Sequence, residues 1–239
     1  MLVLAAHQHA SSPSGGTVVG MLARCDVVLP CLDEAAALPG VLAAIPADMR
    51  AIVVDNGSRD GSADIARAHG ATVVEEPRPG YGAAVHAGVL AASAPLLGVI
   101  DADGSMDPAV LSQLADIVGT GSVTMAVGRR RPVGRGVWPW HARAGNAIIT
   151  ARLRRRAGVP VHDIAPVRVC RRQDLLDLDI RDRRFGYPLE LLVKAGAAGW
   201  VLREVDIDYR PRATGTRSKV SGSVRGTLRA ARDFASVMP

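Results

Sequence analysis

Residues Pro95–Gly119, PLLGVIDADGSMDPAVLSQLADIVG, read as a strand, a sharp acidic turn and a helix. The opening run to Ile100 is apolar without polar alternation, the pattern of a strand buried on both faces. Pro108 opens the helix, and Asp107 before it supplies a cap. Between the two stand Asp101 and Asp103, one residue apart from touching in sequence. Alternate residues of an extended segment point the same way. Two carboxylates so placed repel unless a cation lies between them or one is protonated. Mg²⁺ or Mn²⁺ prefers oxygen ligands and commonly joins one or two carboxylates to a diphosphate. The helix cap is already provided by Asp107, so Asp101 and Asp103 are read as metal ligands.

Outward from this turn, strand and helix alternate for about 100 residues from Cys25. CDVVLP is a short strand stopped by Pro30, and DEAAALPGVLAAIP follows as a helix with Asp33 and Glu34 at its N-terminal end. MRAIVVDNGS is a strand that ends in a turn cluster. DGSADIARAHG is a helix capped by Asp60 or Ser62 and closed by Gly70. ATVVEEP is a third strand, and GYGAAVHAGVLAASA a helix opened by glycines. Such alternation argues for a parallel sheet built from βαβ units. Ligands of those sheets bind beyond the C-terminal strand ends, where Pro30, Asp55 and Asp101 all fall. After Gly119 the pattern loosens: one strand in TMAVGRRRP, an Arg/Gly/Trp loop, a helix in AIITARLRRRAG, another in FGYPLELLVKAGAAGW, and an alternating strand in VLREVDIDYRPR.

The chain has 239 residues, 48% hydrophobic and 22% charged, enough to bury a sizeable core and too apolar for wholesale disorder. A net charge of +6 suits an anionic partner: a phosphorylated substrate, an anionic membrane or a nucleic acid. The Arg154-Arg155-Arg156 run lacks interleaved aromatics or a recognisable module, which argues against nucleic acid. Cys25, Cys31 and Cys170 form no C-x-x-C pair and fit a reducing cytoplasm. No apolar run approaches the roughly 20 residues that span a bilayer. Residues 1–23 lack a basic n-region and read as a disordered leader rather than a signal peptide. Residues 24–239 then form one domain, with a nucleotide-binding half (24–119) and an acceptor-binding half (120–239).

LPCLDEA, VVDNGSRDGS, GYGAAVHAG and DADGSMDP, in that order, resemble family 2 glycosyltransferases of the GT-A fold. Within that family the chain is most similar to the dolichyl- and polyprenyl-phosphate sugar synthases and their bacterial relatives. The later stretches DIAPVRVCRR, FGYPLELLVKAG and VDIDYRPR…SKVSGSVRGTLRA fit the same branch, so the likeness runs from about Cys25 to Asp233. The resemblance implies a mostly parallel α/β sheet flanked by helices, and a metal-dependent transfer from a nucleotide-diphosphate sugar, UDP by preference. It implies that Pro30, Asp33 and Glu34 line the base pocket and that Val53 and Asp55 contact base and ribose. Asp101 and Asp103 would meet the ribose and the metal diphosphate, with Ser105 near the sugar phosphate. Arg129 would face a phosphate, and Arg212 (or Arg210) with Lys219 would close over the diphosphate. A cation with Arg and Lys stabilises a departing nucleoside diphosphate, which is chemically apt.

Glu190 opens a helix where many relatives carry an acid that deprotonates a hydroxyl acceptor. It is either a general base or a helix-terminal carboxylate favoured by the dipole. The implied acceptor is a polyprenyl phosphate, with peripheral contact at the inner membrane face. A soluble small-molecule acceptor is the alternative, and a catalytically silent nucleotide-sugar binder a third reading. The closing run SVRGTLRAARDFASVM has the spacing of a basic amphipathic helix, packed on the domain or lying on lipid.

Overall fold

The computed structural model describes residues 24–213. The leader call, Lys219 and the closing amphipathic run lie outside the described residues. In chain order the elements are β1 (Cys25–Cys31), α1 (Leu38–Ala43), β2 (Met49–Asp55), α2 (Ser62–Ala68), β3 (Thr72–Glu75), α3 (Tyr81–Ala91) and β4 (Leu96–Val99). There follow α4 (Val110–Gly119), β5 (Met125–Pro132), α5 (Trp140–Arg156), β6 (Arg168–Arg171), α6 (Arg172–Asp177), α7 (Tyr187–Ala197) and β7 (Leu202–Tyr209).

The seven strands form one sheet in the order β3-β2-β1-β4-β6-β5-β7. β1 pairs in parallel with β2 and β4, and β5 in parallel with β7. β6 alone runs antiparallel, between β4 and β5. The chain winds outward from β1 to β3, then α3 carries it back to β4 on the other side of β1. That reversal leaves a crevice beyond the C-terminal ends of β1 and β4, the place where open α/β sheets bind ligands.

Alternation along the strands builds two cores. Val28, Ile52, Val54, Leu97 and Val99 face α3 and α7. Val27, Leu29, Val53 and Ala126 face α1 and α4. The approach of α3 to the sheet depends on Gly88: a Cβ there would lie 2.4 Å from Val28 Cγ1. Gly88→Ala is expected to destabilise the protein by about 1–2 kcal/mol, because overpacking of about 1–3 kcal/mol exceeds the helix-propensity gain of about 1 kcal/mol. Urea unfolding measures it, and an unchanged midpoint would show that α3 slides freely.

Two local readings are corrected, and one strand has no counterpart among the elements expected from the sequence. The first helix starts at Leu38, not Asp33, because Asp33 takes a left-handed φ of 53° and Glu34 O accepts the Ala37 and Leu38 amides in a preceding turn. α5 starts at Trp140, seven residues before the expected AIIT. DIAPVRVCRR contains β6 and the start of α6; a four-residue strand with arginine at both ends shows neither alternation nor an apolar run.

Candidate active site

The turn after β4 places its two acids differently. Asp101 is half-buried, two residues beyond the strand end. Asp103 is almost wholly buried, and Gly104 (φ 73°) turns the chain back so that Ser105 N donates to Asp103 Oδ1 at 2.9 Å. The segment after β7 lies across this turn. Arg210 N donates to Ser105 O (2.9 Å) and Ala213 N to Asp103 O (3.1 Å). Between them Arg212 Nη1 reaches Asp103 Oδ2 at 2.8 Å. Ser105 Oγ is buried and has no hydrogen-bond partner among the described residues.

Two further arginines enter from the antiparallel side. Arg130 on β5 is clamped from behind by Asp163: Nε to Oδ2 2.8 Å, Nη2 to Oδ1 2.7 Å, and its own backbone N to Oδ2 2.9 Å. Its guanidinium stacks over Trp138, 4.2 Å from the ring centroid, with Tyr209 at 5.4 Å. Arg168 on β6 is 2% exposed. It donates through Nη2 to the Tyr81 hydroxyl (3.3 Å), while its buried Nε has no partner among the described residues. Burial and the neighbouring Asp103 push the Asp101 carboxyl up to about 6, against the pull of Arg212, Arg130 and Arg168.

This arrangement fits a divalent cation. Two acids crowded in a half-buried turn repel one another, and one already holds a cationic side chain as a stand-in. Among the described residues no group of three or more His, Cys, Asp or Glu side chains forms, so the remaining ligands would be donor oxygens and water.

On the other side of the crevice the β1 and β2 loops are tied into one wall. Asp33 N donates to Ser58 Oγ (3.0 Å), Arg59 N to Asp33 Oδ1 (2.8 Å), Ala35 N to Asp60 Oδ2 (2.9 Å) and Glu34 N to Ser62 Oγ (3.0 Å). Asp55 ends β2 opposite Cys31, and its Oδ1 accepts Ser58 N at 3.0 Å. Pro30 is half-buried on β1, in register with Val54.

Comparison with known proteins decides the family. The profile of glycosyl transferase family 2 matches residues 26–178. The chain belongs to glycosyl transferase family 2. It is 59% identical to an uncharacterized glycosyltransferase of Mycobacterium tuberculosis, over 89% of this chain and 96% of the relative. It is 34% identical to the dolichyl-phosphate hexose transferase of Haloferax volcanii (80% and 85% covered). With the polyprenol monophosphomannose synthase of Mycolicibacterium smegmatis it shares 32% identity (84% and 82% covered). Among solved structures it resembles glucosyl-3-phosphoglycerate synthase of M. tuberculosis in complex with Mn²⁺, UDP-glucose and phosphoglyceric acid. There the TM-score is 0.67 at 22% identity, covering 90% of this chain and 79% of that one, which establishes the GT-A fold.

Three of the expected contacts in this glycosyltransferase are redrawn by the geometry. Val53 is fully buried among Leu29, Ala66 and their neighbours, so its side chain packs the core and does not reach a base. Arg129 lies on the opposite face of β5 from Arg130, and its charge acts on Asp206, with which Arg131 also pairs at 2.8 Å. Of Arg129 and Arg130, it is Arg130 that acts on Asp101, together with Arg212 and Arg168. Glu190 is fully engaged: it accepts Arg181 N (3.0 and 3.1 Å) and Asp182 N (2.6 Å), with Lys194 Nζ at 2.9 Å. Burial raises its carboxyl, but those donors outweigh burial and hold it below the usual range, which suits an anchor for the 181–182 loop better than a base.

Asp101 gives this glycosyltransferase a pH signature. A carboxyl whose pKa is higher folded than unfolded takes up a proton on folding. Its contribution to stability is whole below about pH 4 and fades as pH rises through about 6. In the metal-free protein, the Tm difference between wild type and Asp101→Asn is expected to shift against wild type between about pH 4 and 6.5. Differential scanning fluorimetry at constant ionic strength reads it; parallel curves would refute the raised carboxyl.

Proposed function

We propose that the chain transfers a sugar from a nucleoside-diphosphate sugar, UDP by preference, to a polyprenyl phosphate. The observation that carries this reading is the cluster of Arg130, Arg168 and Arg212 around the Asp101–Asp103 turn, at the crevice between β1 and β4. The wall of Pro30, Asp33, Glu34 and Asp55 suits base and ribose. Asp101 and Asp103 would hold Mg²⁺ or Mn²⁺, which supplies charge stabilisation for the departing diphosphate. Arg212, paired with Asp103 here, would turn to that diphosphate, and the resemblance assigns Lys219, outside the described residues, to the same task. Ser105 Oγ, buried and without a hydrogen-bond partner among the described residues, is placed to donate to a donor phosphate oxygen. Arg168 Nε and the charge of Arg130, held in place by Asp163 and Trp138, orient the incoming acceptor phosphate, whose oxygen is already anionic and needs no base. Glu190 then serves the loop that borders the site, not proton transfer.

The relatives from Haloferax and Mycolicibacterium, named for dolichyl and polyprenol phosphate, support the lipid acceptor. A second reading keeps the donor and replaces the lipid with a small soluble phosphorylated acceptor, because the arginines recognise the anion and not its tail. The fold neighbour crystallised with phosphoglyceric acid supports it. The purified chain with Mn²⁺, UDP- and GDP-sugars, and either polyprenyl phosphate or 3-phosphoglycerate separates the two. Sugar-lipid formation supports the first reading; transfer to the soluble acceptor alone overturns it.

A further inference from the structure

Between Asp116 and Asp163 the chain runs 46 residues without an acid and carries nine arginines. That exceeds the net charge of the whole chain, +6, so the rest of the protein is net negative. The positive charge is therefore concentrated in this stretch and in residues 210–239, which carry seven cations and one acid, and α5 occupies the second half of the first stretch. α5 has an inner face held to the domain and an outer, apolar one. The inner one is held: Leu153 and Thr150 are buried, Asn146 Oδ1 accepts Ile164 N at 3.0 Å and Asn146 Nδ2 donates to His162 O at 3.1 Å. The outer one is uncovered among the described residues, with Trp140 80% and Ile148 69% exposed.

At about 100° per residue, Trp140, Ala144, Ala147, Ile148 and Ala151 fall within an arc of about 100° on that outer face. Arg143 and Arg154 border the arc on one side, though Arg154 donates through Nη1 to Val161 O at 2.8 Å; Arg152 and Arg156 border it on the other, and Arg155 ends it. An apolar strip between two rows of arginine matches a bilayer surface: the strip enters the acyl boundary and the guanidinium groups lie among lipid phosphates. A nucleic acid would use the arginines and leave the apolar strip in water.

We propose that the outer face of α5 docks this protein on an anionic membrane. The face leads directly to the site. β5 runs parallel to β4, so α5 begins just beyond the same sheet edge as Asp101, and Trp138, two residues before the helix, stacks on Arg130. A docked α5 thus presents the site to phosphate groups at the bilayer surface. The assignment adds α5 as a membrane contact; the closing basic run lies outside the described residues. It deepens the lipid-acceptor reading and rests on that reading for its purpose, but docking is measured with neither donor nor acceptor present.

The test is co-sedimentation of the full chain with vesicles of phosphatidylcholine alone or mixed with phosphatidylglycerol. Binding to the anionic vesicles only, weakened by salt and accompanied by a blue shift of tryptophan emission, is expected. Trp140→Ser with Ile148→Ser, both exposed, is expected to weaken binding at least tenfold at unchanged Tm. Arg152→Glu with Arg155→Glu is expected to abolish the preference for anionic lipid. Equal binding to neutral vesicles, unchanged binding by both double variants, or binding to duplex DNA in place of vesicles overturns the proposal. Transfer to a short-chain, water-soluble prenyl phosphate is expected to survive Trp140→Ser/Ile148→Ser. Vesicle binding without any transfer to polyprenyl phosphate would leave the docking face standing and remove the lipid-acceptor reading.

Discussion

Asp103→Asn is expected to lower glycosyl transfer by about a thousandfold or more, while Tm moves by only a few degrees. The substitution keeps shape, and the amide oxygen still accepts Ser105 N. It removes one of the two charges that would hold the cation and the charge that Arg212 meets at 2.8 Å. At about 1.36 kcal/mol per decade, a thousandfold is about 4 kcal/mol of transition-state stabilisation. That is near the upper end for one preorganised electrostatic partner in a water-poor site, and a metal ligand adds to it. Stability stays close to wild type because two changes oppose: the Arg212 pair is lost and the repulsion between Asp101 and Asp103 is relieved. Steady-state transfer rates, thermal melts and Mn²⁺ binding by calorimetry check the three parts. A variant within tenfold of wild type, still binding Mn²⁺, would remove the acidic turn from the chemistry.

The sequence made this turn legible because two signals coincided there. An apolar run announced a buried strand end, and a Pro with its own cap made the two acids superfluous for folding. The first four strands were legible for a related reason: β1, β2 and β4 lie inside the parallel half of the sheet and read as short apolar words between turn residues, and the half-buried edge strand β3 keeps its Val73–Val74 pair between turn signals. The far half of the sheet is built differently. β6 is four residues long and ends in arginines at both sides, because it is wedged antiparallel between β4 and β5. Arg168 therefore reached the site unannounced. Strand parity hid the other arginine. Gly128-Arg129-Arg130 offers two candidates, and only the packing of Gly128 against Ile207 shows which face of β5 looks toward Asp101: a Cβ at Gly128 would lie 2.6 Å from Ile207 Cδ1. Val53 stands two residues before the end of β2, on the same face as Asp55, and sheet burial rather than parity takes its side chain into the core. The anchoring of Glu190 rests on two backbone amides nine and eight residues earlier, which no side-chain motif records.

Asp163→Ala is expected to lower Tm by about 10 °C and to depress transfer as well, although Asp163 is separated from the Asp101 turn by Arg130. The Asp163 side chain is 1% exposed and that of Arg130 18%, and three hydrogen bonds join them. Removing one partner of a buried pair strands the other's charge at a cost of about 3–5 kcal/mol. For a chain of this size each kcal/mol is worth about 2–4 °C. The freed guanidinium then swings between the Trp138 and Tyr209 rings, and its charge is no longer fixed beside Asp101. Arg130→Lys separates the two effects. An ammonium keeps a charge near Asp163 and so recovers part of the stability, but it lacks the planar fork that is gripped from behind and stacked in front. Lysine is therefore expected to restore several degrees of Tm relative to Asp163→Ala while KM for the acceptor rises at least tenfold. Recovery of both together would mean that the clamp only holds the fold, and that Arg130 orients nothing at the site.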